Sequence, residues 1–324
     1  MQSVNFLKKN DFSSSLKREC VRPFVKWAGG KRQLLPIISK SLPKNLGTHY
    51  NKYAEPFVGG GAVLIYMLNH YRFKEVFIND MNISLILCFK NIRDNLTSLC
   101  KKLEKIQNTY YLMDNQAEKE KYYYHLRSEY NILLNSINTN KSNKKTDLSL
   151  TLSSLFIALN KTCFNGIYRV NSRGEFNVPF GKHVKPLIFE PGNLFAVSSL
   201  LKDTKITYGD YKNCESFMDK NTFAYFDPPY RPITKTSAFT AYTKNGFNDK
   251  KQIELAEFTK KLSKRGAKFL LSNSDPKNTN PNDCFFENLY SWANIRTIKS
   301  NRVINSKSTK RNKINEILIS NYNK

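Results

Sequence analysis

The chain has 324 residues, and 52 Lys or Arg against 26 Asp or Glu give it a net charge of +26. An excess of that size favours a polyanionic partner and salt-sensitive binding, although a lysine-rich composition that merely keeps a protein soluble reads the same way. Forty per cent hydrophobic residues suit a globular protein of one large or two ordinary domains. No run approaches the roughly 18 apolar residues of a membrane span and Met1–Glu19 lacks the apolar stretch of a secretory signal, so a cytoplasmic protein with no membrane partner is expected.

Residues 1–21 read as an N-terminal arm. Pro36–Leu42 suits a short helix, Tyr53–Glu55 a strand, Ala62–Leu68 a helix and Glu75–Asn79 a second strand. Residues 83–135 are long, amphipathic and rich in Leu, Tyr, Lys and Glu, which predicts helices. The low-complexity stretch 135–147, "NSINTNKSNKKTD", reads as an exposed loop. Leu148–Asn160 returns to a helical pattern, and Thr162–Gly181, rich in Gly, Asn, Arg and aromatics, reads as loop plus hairpin. Beyond about residue 191, Lys205–Tyr208, Thr222–Phe226, Lys268–Ser272 and Glu316–Ser320 are strand candidates, with a helix at Gln252–Leu262. That order predicts an α/β domain, 22–82 with 191–324, interrupted by a mainly helical insert, 83–190. The six cysteines form no CxxC pair and the four histidines do not cluster with them. Reduced thiols and no metal site are expected.

Two glycine turns stand out. In "YAEPFVGGGAVLIY", Gly59 and Gly61 lie between a strand and a helix with the GxG spacing of a dinucleotide turn, but Leu64 holds the place of a third glycine. Asp80, about 20 residues on at the end of the next strand, strengthens the match, because a carboxylate there can accept both ribose hydroxyls of an adenosine-containing cofactor. The bland alternative is a tight turn with a surface aspartate. The second turn, in "FVKWAGGKRQLL", is not a phosphate-binding P-loop: Val25 stands five positions before Gly30, and Arg32 replaces the required Ser or Thr. Trp27, Ala28, Gly29 and Lys31 instead offer bare backbone, an aromatic face and one cation ahead of a helix.

The most informative stretch is "YFDPPY". Two prolines stop a strand, so Asp227 falls at a strand's carboxyl tip, the edge where open α/β sheets bind ligands. Chemistry on a planar amine suits the group. The Asp227 carboxylate and the Pro228 carbonyl can accept the amine's two hydrogens, drawing its lone pair out of the ring. Tyr230 can stack on the ring face. An electrophilic methyl on a sulfonium could then be attacked in line, a reaction that positioning and electrostatics can carry.

With these residues in view, the chain resembles the Dam-type DNA N6-adenine methyltransferases, the α-group or D12 class. "FVKWAGGK", "EPFVGGGAV", "IND-N", "NGIYRVNSRGEFNVPFG", "DPPY", "FTAYTKNGF" and the final "INEIL" with its basic approach occur in that family's order over residues 22–322. The resemblance implies a Rossmann-like sheet dependent on S-adenosylmethionine, with an inserted, mainly helical target-recognition domain carrying a β-hairpin. It implies that Trp27, Ala28, Gly29, Lys31, Phe57, Gly59, Gly61, Asp80, Asp210 and Asp227 surround the cofactor. Asp227, Pro228, Pro229 and Tyr230 would hold an adenine rotated out of duplex DNA. Phe164 and then Asn165 would fill the gap left behind. Arg169 and Lys26 would read outer guanines and Ile167 and Pro179 thymine methyls, making GATC the expected site. Asn177 and Lys182 complete the implied DNA contacts, and Arg173 and Lys185 would grip phosphates. Phe164 stands where tyrosine is common. A monomer, and functional pairing with a restriction endonuclease, are further expectations. The competing readings are an adenine enzyme of another recognition site, a cytosine N4 enzyme (these more often resemble Ser-Pro-Pro-Tyr), and a catalytically silent DNA-binding protein.

Overall fold

A computed structural model of the chain describes residues 21–138, 145–231, 247–301 and 313–323. The N-terminal arm, the centre of the 135–147 stretch, most of "FTAYTKNGF" and the basic approach to "INEIL" lie outside the described residues.

Seven strands form one sheet: β1 (Lys52–Glu55), β2 (Glu75–Asp80), β3 (Thr204–Tyr208), β4 (Thr222–Phe226), β5 (Lys268–Ser274), β6 (Asn294–Asn301) and β7 (Lys313–Ser320). Their order is β3-β2-β1-β4-β5-β7-β6. The first five run parallel, and β7 enters antiparallel between β5 and β6. The sheet has the Rossmann-like arrangement that the resemblance implies. All five residues of β4 are buried, as expected of a central parallel strand covered on both faces. Side chains alternate between those faces. Phe223 and Tyr225 join one apolar core; Ala224 and Phe226 join the other.

The first core holds α1 (Leu35–Ser41), α2 (Ala62–His70), α3 (Ile83–Asp94), α4 (Leu96–Tyr111), α5 (Gln116–Asn138), α6 (Lys145–Thr162) and α7 (Pro191–Leu201). It runs without a break from Tyr53 and Ile78 of the sheet to Leu126, Tyr130 and Leu155 of the inserted helices. The second core lies under α8 (Asp249–Lys264) and α9 (Phe285–Leu289). Asn82 caps α3 by accepting from Leu85 N at 3.0 Å, and Asn248 caps α8 by accepting from Lys251 N at 3.1 Å, each worth about 1 kcal/mol.

The structure corrects the sequence reading in three places. Helix α5 continues to Asn138 and α6 begins at Lys145, so the polar 135–147 stretch is helical at both ends; Leu134 and Ile137 still pack on the core there. The hairpin within 162–181 is held by two isolated antiparallel bridges, Cys163 with Phe180 and Val170 with Phe176, rather than by full strands. Strand β6 and helix α9 are additions.

The order of strands reverses between β1 and β4, whose neighbours in sequence lie on opposite sides. Ala54 pairs with Ala224, so the turn after β1 and the turn after β4 emerge side by side. A crevice at the carboxyl ends of such strands is where ligands bind in open α/β sheets.

Candidate active site

The β4 turn carries Asp227–Tyr230. Asp227 is partly buried; its Oδ1 lies 2.7 Å from Lys31 Nζ and accepts from Ser272 Oγ at 3.0 Å. Tyr225 OH sits 2.9 Å behind Ser272 Oγ and can donate to it. Burial pushes the Asp227 carboxyl above the usual range, against the downward pull of Lys31 and Ser272. Lys31, only 6% exposed, also donates to Gly29 O at 2.7 Å and lies 4.5 Å from the centroid of the Tyr230 ring. Tyr230 OH donates to Glu316 Oε2 at 2.6 Å. Burial, with the Asp227 and Glu316 charges, raises the Tyr230 phenol, so it stays a neutral donor. Beneath, Tyr53 OH donates to buried Glu55 Oε2 at 2.6 Å, and burial raises that carboxyl too.

The far side of the turn is clamped by polar groups that sequence reading did not single out. Gln252 Nε2 donates to Pro229 O at 3.1 Å, and Asn273 Nδ2 donates to Gln252 Oε1 at 3.1 Å. Asn273 Oδ1 accepts from Arg231 N at 3.1 Å, and Ser274 Oγ donates to Arg231 O at 2.8 Å. Arg231 itself pairs with Asp249 at 2.8 Å and Asp283 at 2.7 Å. Buried polar side chains need partners, and here the main chain of Pro229 and Arg231 supplies them. The run Ser272-Asn273-Ser274 directly after the apolar Phe269-Leu270-Leu271 was the available signal.

At the neighbouring tip, Gly59 (φ 49°) and Gly61 (φ 76°) take the left-handed conformation that glycine alone adopts without cost. A Cβ on Gly59 would meet Trp27 Cδ1 at 2.9 Å. Asp80 accepts from Gly59 N and from Asn82 N, each at 2.9 Å, which ties the glycine turn to the end of β2. Burial raises its carboxyl while these backbone donors hold it down. Asn79, fully buried, donates to Pro56 O at 3.2 Å and Gly209 O at 2.8 Å and accepts from Thr207 Oγ1 at 2.9 Å. One amide thus joins the tips of β1, β2 and β3. Phe57 stacks on Tyr211 with centroids 5.2 Å apart. Asp210 is exposed and accepts from Lys212 N at 2.9 Å. Trp27 stacks on Tyr168 at 5.6 Å. Ala28 is half-buried, and Gly29 (φ 75°) has nothing within 4 Å of where a Cβ would stand. Met81 and Tyr208 are exposed at the ends of β2 and β3.

The insert presents the remaining residues. Phe164 is 52% exposed. Asn165 (φ 58°) and Gly166 (φ 63°) form the left-handed turn behind it. Ile167 is half-buried, while Arg169, Pro179, Lys182 and Lys185 are exposed. Arg169 Nε donates to Asn177 Oδ1 at 2.9 Å and Nη2 to Asn177 O at 3.2 Å, so Asn177 fixes the guanidinium. Arg173 pairs with Glu175 at 3.3 Å. Helix α5 supports this hairpin: Asn131 bonds both N and O of Phe176, and Tyr123 OH donates to Val178 O at 2.7 Å. Lys26 is exposed, and its main chain is bonded in both directions by Asn160, at 2.8 and 2.9 Å.

Among the described residues, no group of three or more His, Cys, Asp or Glu could hold a metal ion, and no helix is long and apolar enough to cross a membrane. Comparison with known proteins is unambiguous in direction. The chain is 46% identical over 304 residues to a Type II methyltransferase, M.MjaIII, of Methanocaldococcus jannaschii, covering 93% of this chain and 99% of that one. It is 35% identical over 321 residues to the Type II methyltransferase M1.LlaDCHI of Lactococcus lactis subsp. cremoris, covering 98% and 99%. It is 31% identical over 297 residues to the DNA adenine methylase of Escherichia coli, covering 92% and 94%. The family model for D12 class N6 adenine-specific DNA methyltransferase matches residues 27–304, and the chain, an enzyme that methylates DNA, belongs to that family.

Proposed function

We propose that this enzyme transfers the methyl group of S-adenosylmethionine to N6 of an adenine rotated out of duplex GATC. The observation that carries the reading is the Lys31 ammonium, a nitrogen donor lying between the Asp227 carboxylate (2.7 Å) and the Tyr230 ring (4.5 Å). The amine of a bound target base would make the same two contacts.

S-adenosylmethionine would supply an electrophilic methyl on a sulfonium. The residues at the β1–β3 tips fit such a donor. The Asp80 carboxylate, with each oxygen taking one backbone hydrogen, keeps acceptor capacity for a ribose diol. The Phe57–Tyr211 stack, Met81 and Tyr208 add apolar surface beside it, and the bare backbone at Gly29 adds an approach free of side chains. Trp27, Ala28, Gly29, Lys31, Phe57, Gly59, Gly61, Asp80, Asp210 and Asp227 would line this site.

On the target side, ionised Asp227 accepts one N–H of the amine and the Pro228 carbonyl the other, which turns the nitrogen lone pair toward the methyl. Tyr230, braced by Glu316, covers the ring. Phe164 and Asn165 fill the vacated stack, at a cost of a few kcal/mol for unpairing. Arg169, held by Asn177, and Lys26 read outer guanines; Ile167 and Pro179 contact thymine methyls; Lys182 and its basic neighbours hold phosphates. Residues 22–82 with 191–324 form the catalytic part and 83–190 the recognition part. The enzyme acts as a monomer in the cytoplasm, where its DNA lies. Pairing with a restriction endonuclease is proposed on the Type II names of two relatives.

Radiolabelled methyl transfer to a duplex with one GATC, and to the same duplex with that site scrambled, tests this. Label should enter the first duplex alone and alter its cutting by nucleases sensitive to GATC adenine methylation. Equal labelling of both duplexes, or label in cytosine, would overturn the assignment.

A further inference from the structure

Residues 21–28 contain no helix or strand, yet they carry Lys26 and lead into Trp27 and Lys31. Two side-chain amides hold this stretch. Asn193 Oδ1 accepts from Arg22 N at 3.0 Å and its Nδ2 donates to Arg22 O at 2.9 Å. Asn160, near the end of α6, does the same for Lys26: Oδ1 accepts from Lys26 N at 2.8 Å and Nδ2 donates to Lys26 O at 2.9 Å. The second hydrogen of that Nδ2 goes to Gly166 O at 3.0 Å. Both donors of an amide that is 3% exposed are therefore spent. They bind together two segments that are distant in sequence, the Lys26 strap and the turn behind Phe164. The fit is close. A Cβ on Gly166 would lie 2.5 Å from Lys26 Cδ and 3.2 Å from Lys26 Cβ, so the aliphatic stem of Lys26 rests on the Gly166 main chain.

We infer that Asn160 is a positioning residue for sequence discrimination. It locks the stem of Lys26 in register with the turn that carries Phe164, so that reading an outer base pair and extruding the adenine occur on one rigid unit. This rests on the recognition reading above, which assigns Lys26 and Phe164 their contacts with DNA.

The test is a specificity ratio: the methylation rate on the duplex site the wild type prefers, over that on a duplex with one outer base pair replaced. The wild-type ratio is measured first and tests the recognition reading by itself. Asn160→Asp keeps the shape and the bond from Lys26 N but removes both donors. Gly166→Ala leaves the amide intact and displaces the Lys26 stem from the other side. Each should lower the ratio about tenfold, mainly through KM for the preferred duplex, with S-adenosylmethionine binding retained. Adding Lys26→Ala to Asn160→Asp should lower the ratio little further, because the two act through one contact. With a wild-type preference established, an unchanged ratio in both variants, or full additivity with Lys26→Ala, would overturn the inference. A loss of melting temperature with equal slowing on every duplex would do the same.

Discussion

At the scale of single residues, the proposed chemistry turns on Asp227 and Lys31. The carboxyl must be ionised to accept from an amine, and burial holds it above the ordinary aspartate value of about 3.9. As pH falls through that raised value the carboxylate gains a proton and the rate drops, so the acid limb of the kcat/KM profile, which reports the free enzyme, should begin above where an exposed aspartate would put it. Lys31 opposes the shift; Lys31→Met should move the limb to higher pH still, and a limb that stays in place would contradict the pairing. Asp227→Ala should cut turnover by about 10²–10⁴-fold while calorimetry finds donor binding largely kept; lost donor binding with normal turnover of the residual complex would contradict the role. Arg169→Ala should relax discrimination at one outer base pair by ~1–3 kcal/mol. A uniform loss across all sequences would make that side chain a phosphate contact instead. Asp227, Lys31 and Arg169 could be nominated from sequence because each stands in a stretch whose residue types have few uses. Ser272, Gln252, Asn273 and Glu316 could not: a polar residue on a strand or helix reveals its role only when the fold shows which turn it bonds.

Among the elements, the three tips at β1, β2 and β3 depend on one buried amide. Asn79→Ala would leave Pro56 O and Gly209 O without that donor and Thr207 Oγ1 without that acceptor. Loss of such buried bonds costs about 1–3 kcal/mol, and donor affinity should fall alongside stability in urea titrations. Stability lowered without any change in donor affinity would show that the tips hold their form independently. Strands β1 and β4 could be read from sequence because prolines close them, and β2 because the apolar run Val76–Ile78 ends at Asn79 and Asp80. Strand β5 runs two residues past its expected end, since Asn273 and Ser274 stay in the sheet to bond the Arg231 main chain after the Asp227–Tyr230 turn. Strand β6, at the sheet edge, has only Ile295 and Ile298 as apolar residues, spaced three apart among polar and charged ones, so no two-residue alternation marks it as a strand until β7 pairs with it. Helix α5 hides its last turn in the same way, behind Asn and Ser.

For the molecule as a whole, net charge and a continuous core matter most. A charge of +26 should make DNA affinity fall by about 10³-fold or more between 50 and 200 mM salt, if some six phosphates are neutralised. Fluorescence anisotropy at several salt concentrations measures the slope, and a flat response would remove phosphate contacts from the account. The Asp227 carboxylate is largely enclosed by the protein and its contacts are screened far less, so the chemical step on bound DNA should vary little over that range. The unbroken core from β1 to α6 ties the inserted helices that support the hairpin to the sheet that carries the Asp227–Tyr230 turn, a continuity that residue patterns alone do not display. A crystal structure of the enzyme with a GATC duplex and a non-reactive S-adenosylmethionine analogue would examine the central claim most directly. It should show the extruded adenine with N6 donating to Asp227 and to the Pro228 carbonyl, its ring on Tyr230, and Lys31 displaced from between them. An adenine still stacked in the duplex, or extruded with those two oxygens turned away from N6, would contradict the account.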